Sequence, residues 1–323
     1  RDSSTSRGLG DVYKRQVYLL GGDAMAIRAW RPVNEIKKNQ DQNQDQYLYH
    51  YTTMEKAYSI LCSNELWFSE LTSTNDIFEQ KVKISFNDVK KPHNGTDAYQ
   101  TIIAKIKEVR KFMDKSREKI KLLCFSRDLE FSDEQKEAYN RLQASMPHDY
   151  SAINVIGRGF SLPRMWAQYA SNNKGVCFIF NKDEIINKVK RLNHSYMSAN
   201  VEYHPLYRPY LMPVEEFDYI YNLITTQYDD AIKTMLNEEC QYLRYDLFSK
   251  LSDWSSENEF RIILTNNTGE GTVKLKDIRK AIEGIVFGAN TDDANATIIK
   301  LLGEKYGLDV RRIIYDDIIT RIV

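Results

Sequence analysis

The sequence predicts an α+β fold in which helices flank a central mixed or antiparallel sheet. Short β-prone runs recur from Tyr47 to the end of the chain, each with the alternation or the continuous apolar stretch of a strand. Amphipathic stretches with helical spacing separate some of these runs but not all of them. Because a doubly wound parallel sheet needs a strict alternation of strand and helix, this mixed order favours α+β. Residues 47–323 are therefore predicted to form one domain.

The first sixteen residues are expected to lie outside this domain. Val12–Gln16 (VYKRQ) resembles one reading frame of the end sequence of transposon-based sequencing adapters, and Arg1–Ser3 resembles the same sequence in another frame. We interpret residues 1–16 as a sequencing or cloning artefact, with a start near Met25, or alternatively as a natural disordered tail. Residues 17–46 are an N-terminal segment that ends in the polar linker Glu35–Gln46, which lacks aromatic residues and any apolar period.

The domain is predicted to open as strand, helix and strand. The aromatic run Tyr47–Tyr51 is β-prone, and Thr52 with Glu55 has the spacing of a capping box. One helical face follows, formed by Met54, Ala57, Tyr58 and Leu61. Asn64 is suited to a left-handed helix end, after which Leu66–Ser69 is predicted to be a strand.

The middle of the domain combines a long basic helix, an insertion and a strand pair. A helix is predicted over Ala98–Lys121 and a buried strand over Lys121–Ser126. The charged stretch from Asp128, near 128–160, is predicted to be an insertion that is part helix and part loop. A short helix with Leu162, Met165, Trp166 and Tyr169 on one face and the strand Val176–Phe180 follow it.

The last part of the domain is predicted to be helical near 214–251 and strand-rich afterwards. The helical stretch has Ile232, Met235, Leu243, Leu247 and Leu251 at roughly heptad spacing. A helix is predicted near Ala294–Leu302. The strands predicted for this part of the chain are Ser198–His204, Glu259–Leu264, Thr272–Lys276, Ile282–Phe287 and Arg311–Tyr315.

Composition and motifs exclude several classes of function. The 45 lysine and arginine residues balance 45 aspartate and glutamate residues, so no net charge recruits a polyanion. The longest apolar runs have strand length, and we expect no membrane association. Four widely spaced cysteines indicate free thiols in a cytoplasmic protein, with Cys62, Cys124 and Cys177 buried. No zinc, phosphate-loop, dinucleotide or nucleophile-elbow motif is present in the sequence, and no metal is expected.

Residues whose side chains could take part in catalysis or ligand binding are concentrated in a few short apolar segments. The segments are Leu48–Thr52, Asn75–Glu79, Cys124–Ser126, Met165–Ala170 running on to Lys174–Val176, Trp254–Arg261 and Ile285–Gly288. In this order they resemble a bacterial family known as domain of unknown function 2971, over nearly all of the chain from Tyr47 onward. Ile77 stands where that family usually has proline, and the insertion after Asp128 is longer than usual.

The opening unit and a late Glu-x-Glu pair also resemble the ADP-ribosyltransferase fold, which implies a split sheet. The resemblance implies that His50, with Tyr51 and Thr52, holds the adenosine-side ribose and the nicotinamide amide of NAD. It implies that Tyr169 or Trp166 stacks on nicotinamide and that Glu259 holds the nicotinamide ribose, with Glu257 as the first member of the pair. Further residues predicted to line the site are Arg261, Asn75, Asp76 and Ser126.

The chemistry that this resemblance implies is cleavage of the nicotinamide–ribose bond of NAD. A fixed carboxylate near the ribose would stabilise the positive charge that develops there. We predict that Glu257, Glu259 and Arg261 share one strand face, about 7 Å apart at i and i+2 positions. Arg261 would then orient Glu259 or bind a ligand phosphate. The leading hypothesis is an NAD-consuming transferase or glycohydrolase, acting on a nucleic-acid or protein acceptor in bacterial conflict or phage defence.

Each of these residues could instead have a structural role. His50 could be a satisfied strand histidine, Thr52 a helix N-cap and Trp166 a core residue. The strand acids could form exposed cross-strand ion pairs, and Asn75 with Asp76 could form a turn. Two other functions stay open: a nucleic-acid or protein-binding module that uses the basic face of the long helix, and a metal-dependent nuclease whose ligands would be Asp76, Glu79, Glu257 and Glu259.

Overall fold

The computed structural model describes residues 46–85, 97–145, 157–206, 209–265, 272–315 and 320–322. The chain divides into two units, Arg1–Asn39 and Gln40–Val323. The predictions for residues 1–16 and for most of 17–46 lie outside the described residues.

A mixed sheet of nine strands forms the centre of the part that the structure describes. The strands of this sheet are β1 Tyr47–Thr52, β3 Ser69–Glu70, β5 Ile120–Ser126, β6 Val176–Asn181, β7 Tyr196–Asn200, β11 Glu259–Thr265, β13 Ile282–Phe287, β14 Asp309–Tyr315 and β15 Thr320–Ile322. Their order across the sheet is β15-β14-β13-β6-β1-β5-β11-β7, and β3 also pairs with β5.

Neighbouring strands of this sheet run antiparallel, with the exception of the parallel pair β13 and β14. Strand β1 pairs with β6 along its whole length, whereas Tyr49 with Ser126 is the registered pair that joins β1 to β5. The other end of β5 pairs with β3 at Leu122 and Lys121. The sheet therefore has two halves that meet at one end of β5.

Three small two-stranded sheets accompany the main sheet. Strand β10 (Ser249–Leu251) runs parallel to β8 (Glu202–His204), and β4 (Ile84–Ser85) runs parallel to β9 (Tyr210–Leu211). Strand β12 (Lys274–Lys276) pairs antiparallel with β2 (Glu65–Trp67). Strand β10 is followed by a 3-10 helix, Ser252–Glu257, which leads into β11, and Lys250 of β10 lies beside Glu259 at the start of β11.

Helices cover both faces of the main sheet. The helices are α1 Met54–Ser63, α2 Asp97–Ser116, α3 Asp133–Ser145, α4 Pro163–Tyr169, α5 Lys182–Lys190, α6 Val214–Thr226, α7 Ala231–Asn237, α8 Gln241–Phe248 and α9 Asp293–Tyr306. Buried residues of α1, α5 and α9 join one apolar core, and buried residues of α2, α6, α7 and α8 join another. We call the sheet face under α1, α5 and α9 the first face and the opposite one the second face.

Strand β11 shows how the two cores share the sheet. Phe260, Ile262 and Leu264 belong to the core of the first face, and Ile263 belongs to the core of the second face. Because side chains alternate along a strand, Glu259 and Arg261 lie on the second face with Ile263. This alternation fixes the location of the charged site described below.

The predicted α+β class is confirmed, and several element boundaries need correction. Helix α1 begins at Met54 with Thr53, not Thr52, as its N-cap, since the Thr53 hydroxyl accepts from the Lys56 amide at 3.4 Å. Asn64 ends α1 in the left-handed conformation, as predicted. The stretch predicted to be helical to 251 ends in strand β10. All four cysteines are free, but Cys62 is exposed. None of the described helices is both long and apolar enough for a membrane span.

Candidate functional site

His50 and Glu259 lie on opposite faces of the sheet. His50 is in register with Phe178, a residue of the first-face core, and its ring packs edge-on against Phe125 with centroids 5.8 Å apart. Glu259 is in register with Ser126, whose other registered neighbour is Tyr49, and all three lie on the second face. The structure therefore does not bring together the imidazole and the carboxylate that the NAD hypothesis paired.

His50 has the hydrogen bonding of a structural histidine. Its Nδ1 lies 3.2 Å from the carbonyl oxygen of Cys124 on the neighbouring strand and donates to it. Burial lowers the pKa of His50, although the bond to this carbonyl acts in the opposite direction. His50 is thus a neutral side chain of β1 that is bonded to the backbone of β5.

We expect His50 to make the stability of the protein pH-dependent. Its pKa is lower in the folded than in the unfolded chain, so the stability that it contributes is present above the unfolded pKa of about 6.5 and is lost as pH falls below it. The wild type should therefore lose more unfolding free energy than His50→Phe between about pH 7.5 and 5.5. Urea titrations of both proteins at each pH test this, and parallel losses in the two would contradict it.

Three other residues of the predicted site are structural. Trp166 is fully buried, donates from its indole nitrogen to the carbonyl of Phe160 at 2.7 Å, and packs edge-on against Tyr51. The Tyr51 hydroxyl donates to the carbonyl of Gly159 at 2.7 Å. Thr52 is buried in β1 opposite Val176. Trp166, Tyr51 and Thr52 are thus part of the packing and cannot stack on or hold a ligand in this conformation.

Five charged side chains come together on the second face, and we call them the ionic cluster: Glu79, Lys250, Glu257, Glu259 and Arg261. Arg261 donates from Nε to Glu259 at 2.7 Å and from Nη2 to Glu79 at 2.5 Å. Lys250 Nζ lies 2.8 Å from both Glu257 and Glu259. Each of the five is at most 9% exposed. Three carboxylates therefore share two cations away from water.

A second buried group borders the ionic cluster and balances its charge. Arg117 forms an ion pair with Asp246 and donates to the carbonyl of Glu79 at 2.5 Å. Lys83 donates from Nζ to the carbonyls of Asp246 and Ser249. Together with the ionic cluster this gives four cations and four carboxylates, all buried. Lys83, Lys250 and Asp246 are not among the residues predicted for the site, and Arg117 was predicted to lie on the basic, solvated face of the long helix. No local sequence pattern marks a buried lysine or arginine.

The electrostatics of the ionic cluster keep its central carboxylate charged. Burial alone would raise the pKa of Glu259, but Arg261 and Lys250 beside it hold that pKa well below its usual range. Burial likewise opposes the charge on Lys250, yet Glu259 and Glu79 raise the pKa of its ammonium group well above the ordinary value. Glu259 is thus kept ionised by Arg261 and Lys250, which it shares with Glu79 and Glu257.

Glu257 is itself buried, but it joins the ionic cluster to side chains that are more exposed. Glu257 accepts a hydrogen bond of 2.6 Å from the hydroxyl of Tyr169, which is half-buried and also hydrogen-bonds with the exposed Asn75. Burial and the neighbouring Glu257 raise the pKa of Tyr169. The half-buried ring of Trp254 contacts the cationic groups of both Lys250 and Arg164, which lie 5.3 and 5.2 Å from its centroid. Aromatic rings therefore line the edge of the ionic cluster.

Glu257 and Glu259 reach the ionic cluster from different elements. The sequence analysis placed both on one strand, but Glu257 ends a 3-10 helix, Ser252–Glu257, and β11 begins at Glu259. Asn258 between them adopts the left-handed conformation, with φ 43°. Both carboxylates nevertheless bind Lys250. Ser126 lies on the same face, buried, with no hydrogen-bond partner for its Oγ among the described residues.

The acidic residues of the nuclease hypothesis surround cations. Glu79, Glu257 and Glu259 approach Lys250 and Arg261, and Asp76 lines a cleft that Lys250 also lines. Among the described residues, no group of three or more histidine, cysteine, aspartate or glutamate side chains could hold a metal ion. The positions between these carboxylates are taken by an ammonium and a guanidinium group.

The basic face of α2 is interrupted by acidic and buried residues. Lys107, Lys111 and Lys115 are exposed, but Glu108 and Asp114 are exposed on the same helix. Arg117, another basic residue of the predicted helix Ala98–Lys121, is buried in its pair with Asp246. The exposed charge of α2 is therefore mixed.

The fold and this site define an α+β protein with a buried ionic cluster that ends at an aromatic edge. A model of the family described as "Protein of unknown function (DUF2971)" matches residues 165–262. The resemblance to that family is confirmed over this stretch, which contains Tyr169, Lys250, Glu257, Glu259 and Arg261. No curated protein and no solved structure matches the chain. The ADP-ribosyltransferase-like split of the sheet stays a prediction.

Proposed function

We propose that the protein cleaves the nicotinamide–ribose bond of NAD at the Glu257 end of the ionic cluster, as a transferase or glycohydrolase. The observation that carries the proposal is the contact of Glu257 with both the Tyr169 hydroxyl and the Lys250 ammonium group, at 2.6 and 2.8 Å. These two bonds hold a carboxylate in one orientation at an aromatic edge, which is the arrangement that a developing positive charge on the ribose requires.

Glu257 is assigned the reactive role that the sequence analysis gave first to Glu259. Glu259 is paired with both Arg261 and Lys250, so little of its charge is left to stabilise a cation on a substrate. Glu257 shares one cation and faces Tyr169 on its other oxygen. Glu259 and Arg261 are positioning residues in this proposal because they fix Lys250, which in turn fixes Glu257.

The bond changes of the proposed reaction balance without a metal or redox partner. The bond between the ribose C1′ and the nicotinamide nitrogen breaks, and neutral nicotinamide leaves with the bonding electrons. A hydroxyl or other nucleophile of the acceptor, or water in a glycohydrolase, forms the new bond to C1′ and loses its proton. Arg164 at the edge, 5.2 Å from the Trp254 ring centroid, offers a guanidinium group for the diphosphate. His50 has no part in this chemistry.

Loss of the Glu257 charge should abolish most of this activity. We expect Glu257→Gln to release nicotinamide from NAD about 100-fold more slowly than the wild type, since a fixed electrostatic stabiliser contributes on that order. The assay follows nicotinamide by chromatography after incubation with NAD and with water, protein or nucleic acid as acceptor.

The matched control is Glu184→Gln, which removes the same charge from the exposed first turn of α5 and should keep wild-type activity. Circular dichroism establishes that both variants fold. The proposal fails if the wild type releases no nicotinamide with any acceptor class and binds no NAD in calorimetry.

A further inference from the structure

A small cleft borders the ionic cluster at Lys250. Its lining includes Lys250, Lys83, Asp76 and His204, together with the apolar or aromatic side chains of Phe78, Leu206 and Tyr245. The enclosed part measures about 10 Å³, which is room for one water-sized group. Phe78 and Leu206 are 38% and 64% exposed, so the cleft opens between apolar side chains at the surface.

Two buried polar atoms in the lining of this cleft lack partners in the described part of the chain. Asp76 is 4% exposed, and its Oδ1 accepts from the Phe78 amide at 2.8 Å, whereas its Oδ2 has no hydrogen-bond partner there. The Nε2 of His204 is also buried without a partner, while its ring packs on Tyr245 with centroids 5.8 Å apart. A buried carboxylate oxygen left without a donor costs free energy, which indicates that a ligand or water completes this site.

The unpartnered atoms define the chemistry of a fitting ligand. The Oδ2 of Asp76 needs a donor, and a water-sized amino group fits the enclosed room. The Nε2 of His204, when it bears the proton, needs an acceptor, and it belongs to the lining of the same cleft. A primary carboxamide supplies both groups on one carbon atom, and a flat ring attached to it would lie against Phe78 and Leu206. A carboxylate in its place would be repelled by the charge of Asp76. The two lysines of the lining already have partners, Lys83 in backbone carbonyls and Lys250 in Glu257 and Glu259.

We propose that this cleft binds the carboxamide of nicotinamide, with the amide nitrogen on Asp76 Oδ2 and the amide oxygen on His204 Nε2. This subsite rests on the proposed NAD cleavage, and it lies beside the carboxylate that acts there. Lys250 lines the cleft and binds Glu257, and Asn75, the neighbour of Asp76 in the chain, hydrogen-bonds with Tyr169. The ribose of a nicotinamide nucleotide seated in the cleft would extend toward Glu257.

The test compares nicotinamide with nicotinic acid, which differ by amide against carboxylate. Ligand-observed NMR titrations of the full chain should give tighter binding of nicotinamide than of nicotinic acid. In Asp76→Asn the turn acceptor Oδ1 is kept and the free oxygen becomes a donor. We expect this variant to weaken nicotinamide binding about tenfold, the size of one hydrogen bond to a charged group, and to strengthen that of nicotinic acid. Asp183→Asn, an exposed change on α5, should leave both affinities unchanged.

The outcomes separate the subsite from the reaction. Reversal of the preference in Asp76→Asn supports the subsite. Equal affinity of the wild type for both compounds, or no effect of Asp76→Asn, overturns it. If NAD is cleaved but Asp76→Asn leaves the affinity for nicotinamide unchanged, the subsite is wrong and the proposed function stands. If nicotinamide binds through Asp76 but NAD is never cleaved, the amide site stands and the reaction is wrong.

Discussion

Replacing Arg261 with methionine is expected to lower the free energy of unfolding by about 3–5 kcal/mol, the range measured when one partner of a buried ion pair is removed. Arg261 is 1% exposed, and its guanidinium group binds Glu259, Glu79 and the carbonyl of Leu247. Methionine is unbranched and uncharged, so it keeps the contacts of the aliphatic part of the arginine side chain and removes the guanidinium group. Three carboxylates, those of Glu79, Glu257 and Glu259, then remain buried with Lys250 as their shared counter-ion.

Urea denaturation of the wild type, Arg261→Met, Glu259→Gln and the double variant tests this through a double-mutant cycle. The double variant should be more stable than the sum of the single losses predicts, because it leaves fewer uncompensated charges. Arg244→Met is the matched control, since Arg244 is 52% exposed and its pair with Glu239 spans 3.7 Å; we expect a change within about 0.5 kcal/mol. A loss at Arg261 as small as this would contradict a tightly paired cluster.

Replacing Trp166 with alanine should also cost about 3–5 kcal/mol of unfolding free energy. Its indole is fully buried, packs edge-on against Tyr51 with centroids 5.1 Å apart, and donates to the carbonyl of Phe160. Alanine would leave a cavity of nearly a whole indole and a carbonyl without its donor. Chemical denaturation measures the loss.

Trp67→Ala provides the comparison for the Trp166 variant, because Trp67 is 52% exposed and its ring is covered by the Lys274 ammonium group, 4.6 Å from the centroid. We expect a loss of about 1 kcal/mol there, which reflects a cation–π contact and part of an aromatic surface. Similar losses in the two tryptophan variants would show that Trp166 is not the core residue described above. A ligand-stacking role for Trp166 would then return.

Local patterns were sufficient for most of the fold. The aromatic run at Tyr47, the apolar run at Val176 and the alternation after Glu259 each predicted a strand that the structure contains. Their apolar residues must be buried on one or both sides, and this constraint acts within a few residues. The first residue of a helix is harder to predict where two adjacent residues could both be the N-cap, as Thr52 and Thr53 could for α1.

The candidate site depends on contacts between segments that are far apart in the sequence, and no single segment predicts such contacts. Alternation tells which residues of β1 share a face with His50, but the register with β5 and β11 decides whether that face is also the face of Glu259. A shift of one residue would reverse the answer. Lys250 was missed for a related reason: a lysine at the end of a helical stretch usually faces solvent, and its burial depends on three carboxylates from other elements.

The distances along the chain within the ionic cluster have a consequence for the order of folding. Arg261 and Glu79 are 182 residues apart, whereas Lys250 and Glu257 are 7 apart. Closing the longer loop costs more chain entropy, so the near pair can meet early and the distant pair late. Interactions that form after the rate-limiting step act mainly on the rate at which the native chain opens. We therefore expect the contact between Arg261 and Glu79 to form late in folding, so that it slows unfolding more than it speeds folding.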